Sequence, residues 1–395
     1  MDTKGISKLD LKRRNRRQIL LAIRNAGMLA RVDIAAQLSL TRAAVTIITN
    51  QMIAQGILED MNTPAPAPDQ PRRKGRRKTM IRINPNYKFV LGAVIDEEFI
   101  SVGLSNLDDE VLGKAKMAIR GDIGRQDCVS FIVKSCREML RKSSLTPDQV
   151  LGLGIGIVQE RWANVGVTAD ENGSVSFDAL QKEFGAELGM PVFCGNAVGL
   201  YALANTDYTD KAHRCQMFLY SGSTYQTAVV TDGELVGGIN ADTTYVDRFI
   251  ISPNGRKAEG YPDGSVHAEI TPPAMRERLT ELIGRELSDE EIAEAVQNGN
   301  PHALRIRDDA LQKLAVMIYN LCTCYRASRV VFQSYHITKT SMKRLQQLVT
   351  DLNSSRRDVV LERSKLESDK CFLAGSKLAM ERLFYDLGGM PPASD

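Results

Sequence analysis

The segment Thr63-Pro64-Ala65-Pro66-Ala67-Pro68 constrains this chain more than any other. A proline at every second position removes backbone donors and fixes φ, so neither a helix nor a central strand can run through it. Directly after it comes Gln70-Pro71-Arg72-Arg73-Lys74-Gly75-Arg76-Arg77-Lys78. Apolar runs flank the whole stretch, with Ile57 and Leu58 before it and Thr79 to Ile83 after it, and they read as strand, loop and return strand. The chain therefore divides into a small head, residues 1–83, and a large body, residues 84–395. Charge divides at the same place. The head carries 17 Lys/Arg against 6 Asp/Glu, a net +11, and the remainder carries 34 against 42, a net −8. A basic head on an acidic body implies that the head meets a polyanion and the body does not.

The head reads as three helices. Residues 10–26 have an apolar stripe of Leu11, Ile19, Leu20 and Ile23, with Lys12, Arg13, Arg14, Arg16 and Arg17 crowding the early turns. Val32 to Leu38 is a short second helix, and Ser39-Leu40 is a tight connection. Thr41 caps a third helix that runs to about Gln55, with Val45, Ile48, Met52 and Ile53 inward, and Gly56 ends it. Three short helices with a tight turn before the third fit a helix-turn-helix, and the strand, loop and strand that follow make a wing. The wing residues Arg72, Arg73, Lys74, Gly75, Arg76, Arg77 and Lys78 suit a narrow minor groove, because glycine lets the backbone lie flat while guanidinium groups follow the negative potential. At the start of the third helix, Arg42, Ala43, Ala44, Thr46 and Ile47 are placed to face base edges. Arg42 either pairs with guanine or holds a phosphate, and the alanine methyls suit thymine methyls.

At 395 residues the chain is expected to form two or three compact units. No apolar run reaches the roughly 18 residues that span a bilayer. Charges at Asp2, Lys4, Lys8 and Asp10 leave no apolar core for a signal peptide, so a cytoplasmic protein is expected. The seven cysteines are scattered and read mostly as small buried hydrophobes; Cys322 and Cys324 lack the CxxC spacing of metal or redox motifs. The body alternates strand and helix patterns, which indicates an α/β class. Strands are predicted at Phe89–Ile95, Ile100–Leu107, Val150–Val158, Pro191–Cys194, Met217–Tyr220, Thr227–Thr231 and Arg329–Gln333. Helices are predicted at Ala197–Ala204, at Asp308–Ser328 and from about Gly375 to Leu387.

Three stretches carry a resemblance: Asn15-Arg16 through Leu20, Leu40-Thr41-Arg42-Ala43-Ala44-Val45-Thr46, and Gly75-Arg76-Arg77-Lys78 followed by Ile83-Asn84-Pro85. With the body pattern, they make the chain resemble the ROK family (repressors, open reading frames and sugar kinases) over essentially its whole length. The nearest branch is the regulators that include N-acetylglucosamine and xylose repressors. The resemblance implies a winged helix-turn-helix followed by an actin-like ATPase fold, two α/β lobes around a cleft. Many relatives have Arg where this chain has Ile47, which implies a different operator.

The same resemblance implies that the kinase chemistry is lost. The family's phosphate turn, Asp-Ile-Gly-Gly-Thr, is Val94-Ile95-Asp96-Glu97-Glu98 here, and carboxylates replace the glycines that admit phosphate. The Glu-Asn-Asp that supplies the family's base is Gly195-Asn196-Ala197, and Ala197 accepts no proton. The second glycine turn is Gly222-Ser223-Thr224-Tyr225-Gln226, with only its first glycine kept. The sugar and zinc segment Gly-Glu-Ile-Gly-His is Thr244-Tyr245-Val246-Asp247-Arg248, and the Cys-x-Cys-Gly-x-x-Gly-Cys that follows is Ala258 to Ser265 without a cysteine. His267 alone makes no zinc site and reads as a surface residue. No catalytic residue, cofactor or metal is expected.

A sequence-specific regulator of transcription is therefore expected, with double-stranded DNA as its partner, bound by a homodimer or higher homo-oligomer on a two-fold symmetric site. A small-molecule effector would meet Asn196, Tyr245 and Arg248. Arg248 either grips an acidic sugar derivative, or it points to solvent or pairs with Asp247 or Glu259. On either reading, glucose and N-acetylglucosamine should leave DNA affinity unchanged. A sugar kinase is excluded by the lost turns and base, and a protein-only scaffold leaves the Arg72–Lys78 loop unexplained.

Overall fold

Two of the three head helices start where a side chain satisfies free amides. The structure is a computed structural model that describes residues 7–61, 79–169, 175–239, 244–288, 291–292, 294–295, 298–334, 337–353 and 358–391. Helix α1 (Lys8–Arg24) opens on a reciprocal capping box between Ser7 and Asp10. Strand β1 (Leu29–Ala30) leads into α2 (Arg31–Leu38), and Ser39, at φ 54°, makes the turn. Helix α3 (Arg42–Ala54) is capped by the Thr41 hydroxyl, which accepts from the Ala44 amide at 3.2 Å. Strands β2 (Leu58–Met61) and β3 (Met80–Ile83) complete an antiparallel sheet in the order β1-β3-β2. Three helices and this sheet are a winged helix. Strand β1 is too short to show in the sequence pattern. Leu11, expected in the buried stripe, is 50% exposed; it lies in the first turn of α1, ahead of the Ile19–Leu20–Ile23 patch that the head core covers.

The chain forms two compact units. The first holds residues 1–200, 207–211 and 366–395, so the head belongs to it. Its sheet is built from β4 (Phe89–Ile95), β5 (Phe99–Asn106), β6 (Val111–Ala118), β7 (Val150–Ile157) and, after the small hairpin β8 (Thr168–Ala169) and β9 (Val175–Ser176), β10 (Val192–Asn196). The order is β10-β7-β4-β5-β6, with β4, β7 and β10 parallel. Alternation puts Leu91, Ala93, Leu153 and Ile155 on one face, against α4 (Arg125–Ser143) and α5 (Asp178–Leu188). Helix α6 (Ala197–Ala204) follows β10.

The second unit holds residues 201–206 and 212–365. Strands β11 (Cys215–Ser221), β12 (Tyr225–Thr231), β13 (Glu234–Leu235) and β14 (Thr244–Tyr245) precede helices α7 (Val266–Ile270), α8 (Pro272–Ile283) and α9 (Pro301–Tyr325). Strand β15 (Arg329–Ser334), helix α10 (Lys339–Leu352) and strand β16 (Val360–Arg363) complete it. The order is β13-β12-β11-β15-β16, with β14 on β12. Met217, Leu219, Val330 and Phe332 pack against Leu314 and Ile318 of α9 and Leu345 of α10. Helix α9 begins earlier than the sequence pattern indicates, because the Asn300 side chain accepts from the amides of His302 and Ala303 and Pro301 occupies the first turn.

The last helix, α11 (Phe372–Met380), lies on the other face of the first sheet and passes into a π-helical turn, Glu381–Tyr385. Met380, Leu383, Phe384 and Tyr385 then join the head core of Ile19, Ile23, Ile34 and Met52. Arg16, one of the cations crowding the early turns of α1, is 1% exposed: its Nε donates to the Gly388 carbonyl at 2.7 Å and its Nη2 to Gln55 at 2.8 Å. Burial lowers the pKa of its guanidinium. Gly388, at φ 62°, has α1 backbone so close that a side chain there would strike the Arg13 carbonyl.

Candidate nucleic-acid interface and ligand-binding segments

Helix α3 turns Val45, Thr49 and Met52 inward and leaves Arg42, Ala43, Thr46, Ile47 and Asn50 exposed. Spacings of three and four put these five on one face. Thr41 is exposed as well, but its oxygen is taken by the cap, and Ala44 is half-buried beside it. Of the five residues expected to face bases, Arg42, Ala43, Thr46 and Ile47 are presented together, while Ala44, with the capping Thr41, builds the helix start. Arg72, Arg73, Lys74, Gly75, Arg76, Arg77 and Lys78 lie outside the described residues.

Two residues of this surface escape the sequence reading. Arg31 donates to Thr49 Oγ1 at 3.1 Å, to Asn50 Oδ1 at 3.3 Å and to Asp60 at 3.1 Å, and so ties α2, α3 and β2 together. Asn50 continues the 42/43, 46/47 spacing by one turn, and that periodicity is the signal for it. Arg31 has no such signal, because its partners lie 18 to 29 positions away.

In the first unit, the β4–β5 turn is tight, with the Asp96 amide donating to the Phe99 carbonyl at 2.9 Å. Asp96 is buried and its carboxylate accepts from the Glu97 amide at 2.7 Å. Of the two acidic residues that stand for the family's glycines, Asp96 thus turns into the protein and Glu97 is half-buried; Glu98, in the threonine position, is exposed. Asn196 is 9% exposed and accepts from the Val198 amide at 2.9 Å, which starts α6, and Ala197 is fully buried.

In the second unit, Gly222-Ser223-Thr224 is a hairpin turn between β11 and β12, closed by the Gly222 amide on the Thr224 carbonyl at 3.1 Å. Strand β14 pairs Tyr245 with Gln226; the Tyr245 side chain lies outside the described residues. Asp247 is 1% exposed and accepts from the Tyr225 amide at 2.7 Å and faces His267 Nδ1 at 3.3 Å. Burial pushes its carboxyl pKa up, against the pull of the Tyr225 amide and His267. His267 is therefore not the surface residue expected: it is half-buried and stacks on Tyr261 with centroids 3.7 Å apart. Arg248 does not pair with Asp247. It is exposed, donates to the Gly260 carbonyl at 2.8 Å and lies 5.8 Å from the Tyr261 ring centroid.

These interactions bear on zinc, which the family's segment implies. Arg248, Ala258, Gly260 and Ser265 stand in the ligand positions, and none offers the thiolate or imidazole that zinc prefers. The residues do not fit the metal. The loop is closed by other bonds: Ile251 amide to Gly264 carbonyl at 2.9 Å, Gly264 amide to Arg256 carbonyl at 2.8 Å, and the Arg256 amide to the buried Glu269, which also holds Lys313 at 2.7 Å.

Residues 97–376 match the sequence profile of the ROK family. The xylose repressor of Lactiplantibacillus pentosus is 20% identical over 371 residues, 91% of this chain and 89% of that protein. Among solved structures, a ROK family transcriptional regulator described as a homologue of the E. coli MLC protein aligns with a TM-score of 0.72 at 19% identity, covering 96% of this chain and 98% of that one. A ROK hexokinase from Thermus thermophilus aligns with a TM-score of 0.60 at 16% identity, covering 74% and 98%. The hexokinase covers three quarters of this chain and the regulator nearly all of it. At these identities the likeness establishes the fold: an actin-like ROK body, with mixed α/β structure, behind a head of its own.

Proposed function

The chain belongs to the ROK family, and from that premise we propose that it is a sequence-specific, DNA-binding transcriptional repressor with no phosphotransfer activity. The observation that carries this reading is the head: an exposed α3 face on a winged helix whose 83 residues hold 17 Lys/Arg. The name of the Lactiplantibacillus pentosus relative supports it. Residues 1–83 are the DNA-binding part, and residues 84–395 serve dimerisation and effector response. A homodimer would place two recognition helices on a two-fold symmetric site, since one helix reads only a few base pairs. Arg42, Ala43, Thr46 and Ile47 face the major groove, and Arg72 to Lys78 follow the minor groove.

Selection of bound duplexes from a random pool tests the reading, and a symmetric enriched sequence is expected. The salt dependence of binding to that duplex is the sharper measurement. Arg76→Ala with Arg77→Ala should weaken binding and flatten the slope of log K against log salt by about 0.9 for each phosphate that is no longer neutralised. An unchanged slope would take this loop off the DNA.

The body should not phosphorylate sugars. Ala197 stands where the family's base would be, and loss of a general base alone removes a factor of roughly 10²–10⁴. With ATP, magnesium and a panel of hexoses, no sugar-dependent ATP turnover is expected. Turnover that disappears on substitution of Asn196 would reverse that conclusion. The exposed Arg248 keeps guanidinium donors beyond the one used on Gly260. That favours a carboxylate- or phosphate-bearing sugar derivative over a neutral sugar as the effector of the body.

A further inference from the structure

Between Arg42 and Asn50 the exposed face of α3 is poor in hydrogen-bonding capacity, and the reason is local. The Thr46 hydroxyl donates to the Arg42 carbonyl at 2.8 Å, back into the helix. The Thr41 oxygen is occupied by the cap. Thr49 is buried and bonded to the Val45 carbonyl and to Arg31. Asn50 has its oxygen on Arg31. Between Arg42 and Asn50, the face offers the Ala43 methyl, the Thr46 methyl and the side chain of Ile47, which is 59% exposed. An exposed β-branched residue at the centre of a 13-residue helix gains nothing for the fold.

We infer that Ile47, flanked by the methyl groups of Ala43 and Thr46, is a specificity-determining residue that reads the C5-methyl groups of thymine in the major groove. The inference rests on the DNA-binding reading above. The occupant follows from charge and chemistry together. The head's net +11 selects a polyanion. Within the major groove of that polyanion, the thymine methyl is the one apolar group on a base edge. A guanine or cytosine under Ile47 would have its donors and acceptors stripped of water and left without partners, so the same side chain also rejects those bases. Arg31, by tying Thr49 and Asn50 to Asp60, fixes the rotation of α3 that aims Ile47 outward.

The test uses the full chain and the best duplex from random selection. Each half-site thymine is replaced in turn by deoxyuridine, which removes the C5-methyl and nothing else. One or two positions should lose affinity, about fourfold per methyl group, the factor that corresponds to returning one CH₂ or CH₃ to water. Ile47→Ala should bind more weakly than the wild type on the thymine duplex and should no longer distinguish thymine from deoxyuridine at those positions. Its fold is not at stake, since the position is exposed and alanine favours helix. A full deoxyuridine series bound as tightly as the thymine duplex overturns the inference and leaves the repressor reading intact. So does a deoxyuridine penalty of equal size in Ile47→Ala, or an Ile47→Ala variant with unchanged DNA affinity. Failure of the wild type to enrich any sequence, with no salt-dependent binding, overturns both.

Discussion

Replacing Gly375 with alanine should lower the melting temperature of the first unit by roughly 10 °C, and valine should leave little soluble protein. Two effects oppose each other at this site. Within a helix, alanine is favoured over glycine by about 1 kcal/mol, so α11 taken alone would gain. Packing acts the other way. A Cβ on Gly375 would overlap the carbonyl oxygens of Gly154 and Ala93 and sit 2.8 Å from the Ala93 amide nitrogen. Those atoms are backbone of β7 and β4, in the middle of the first sheet, and cannot rotate away. The approach is shared from both sides: a Cβ on Gly154 would overlap the Gly375 carbonyl, and one on Gly92 the Phe372 carbonyl. Overpacking a core by a methyl typically costs about 1–3 kcal/mol, and more where no side chain can yield. A loss of about 3–5 kcal/mol is a large fraction of an ordinary folding free energy, roughly 5–15 kcal/mol. Gly185→Ala in α5 is the control, because its φ is not positive and a Cβ there would meet only the Met190 carbonyl, at an ordinary 3.6 Å. Thermal melts of the two variants side by side decide the matter. A Gly375→Ala protein as stable as the wild type would mean that α11 does not lie on a glycine floor.

That close approach also marks what the sequence can and cannot disclose. The strands β4, β7 and β10 stand out as apolar runs with glycines among them, because buried parallel strands need no polar face. The glycines at positions 92 and 154 are visible in the sequence, but their reason is not, since the helix they admit begins 280 and 218 residues later, at Phe372. Helix limits in the head are legible because local chemistry sets them: Thr41 caps α3 and Gly56 ends it. Arg16 passes for a solvated cation for the opposite reason, as the carbonyl that receives it belongs to Gly388, 372 residues away. The segments that correspond to the family's catalytic and zinc motifs follow the same rule. Loss of the family's base, glycines and zinc ligands can be read directly from residue types. What replaces them, the Asp247–His267–Tyr261 cluster and the Glu269–Lys313 pair, depends on α7 and α9 coming back to the loop, and no local spacing announces it. On α3, periodicity identifies four of the exposed residues and misses Arg31, whose effect is to hold the others.

The second large effect should come from Arg24, which joins the head to the end of the chain. Its guanidinium lies 4.1 Å from the ring centroid of Tyr208 and 4.7 Å from that of Tyr385, and it is paired with the Glu381 carboxylate. The side chains of Arg24 and Glu381 are only 11% and 17% exposed. Burial works against the charge on Arg24, but Tyr208, Glu381 and Tyr385 together more than offset it, and its pKa is raised. Arg24→Met keeps most of the volume and removes the charge. It leaves Glu381 a mostly buried carboxylate without this partner and takes the cation from two aromatic faces. Breaking a fully buried pair costs about 3–5 kcal/mol, and a cation on an aromatic face contributes about 0.5–2 kcal/mol. Allowing for the residual exposure of both groups, about 2–4 kcal/mol is expected. The same accounting requires that Arg24→Met combined with Glu381→Gln recover part of the loss, because the stranded charge is then gone. Thermal melts of the wild type, the two single variants and the double variant measure the coupling directly. The position of the damage is the second readout. Arg17 with Asp386 at 3.2 Å, and Arg16 with Gly388, are further polar ties between α1 and the chain end. With Arg24 gone, hydrogen exchange should rise in α1 and in the Glu381–Tyr385 turn before it rises in β4 or β7. If the double variant is less stable than either single one, or if exchange rises uniformly across the first unit, then Arg24 is a packing residue of the core and not the tie that holds the head in place.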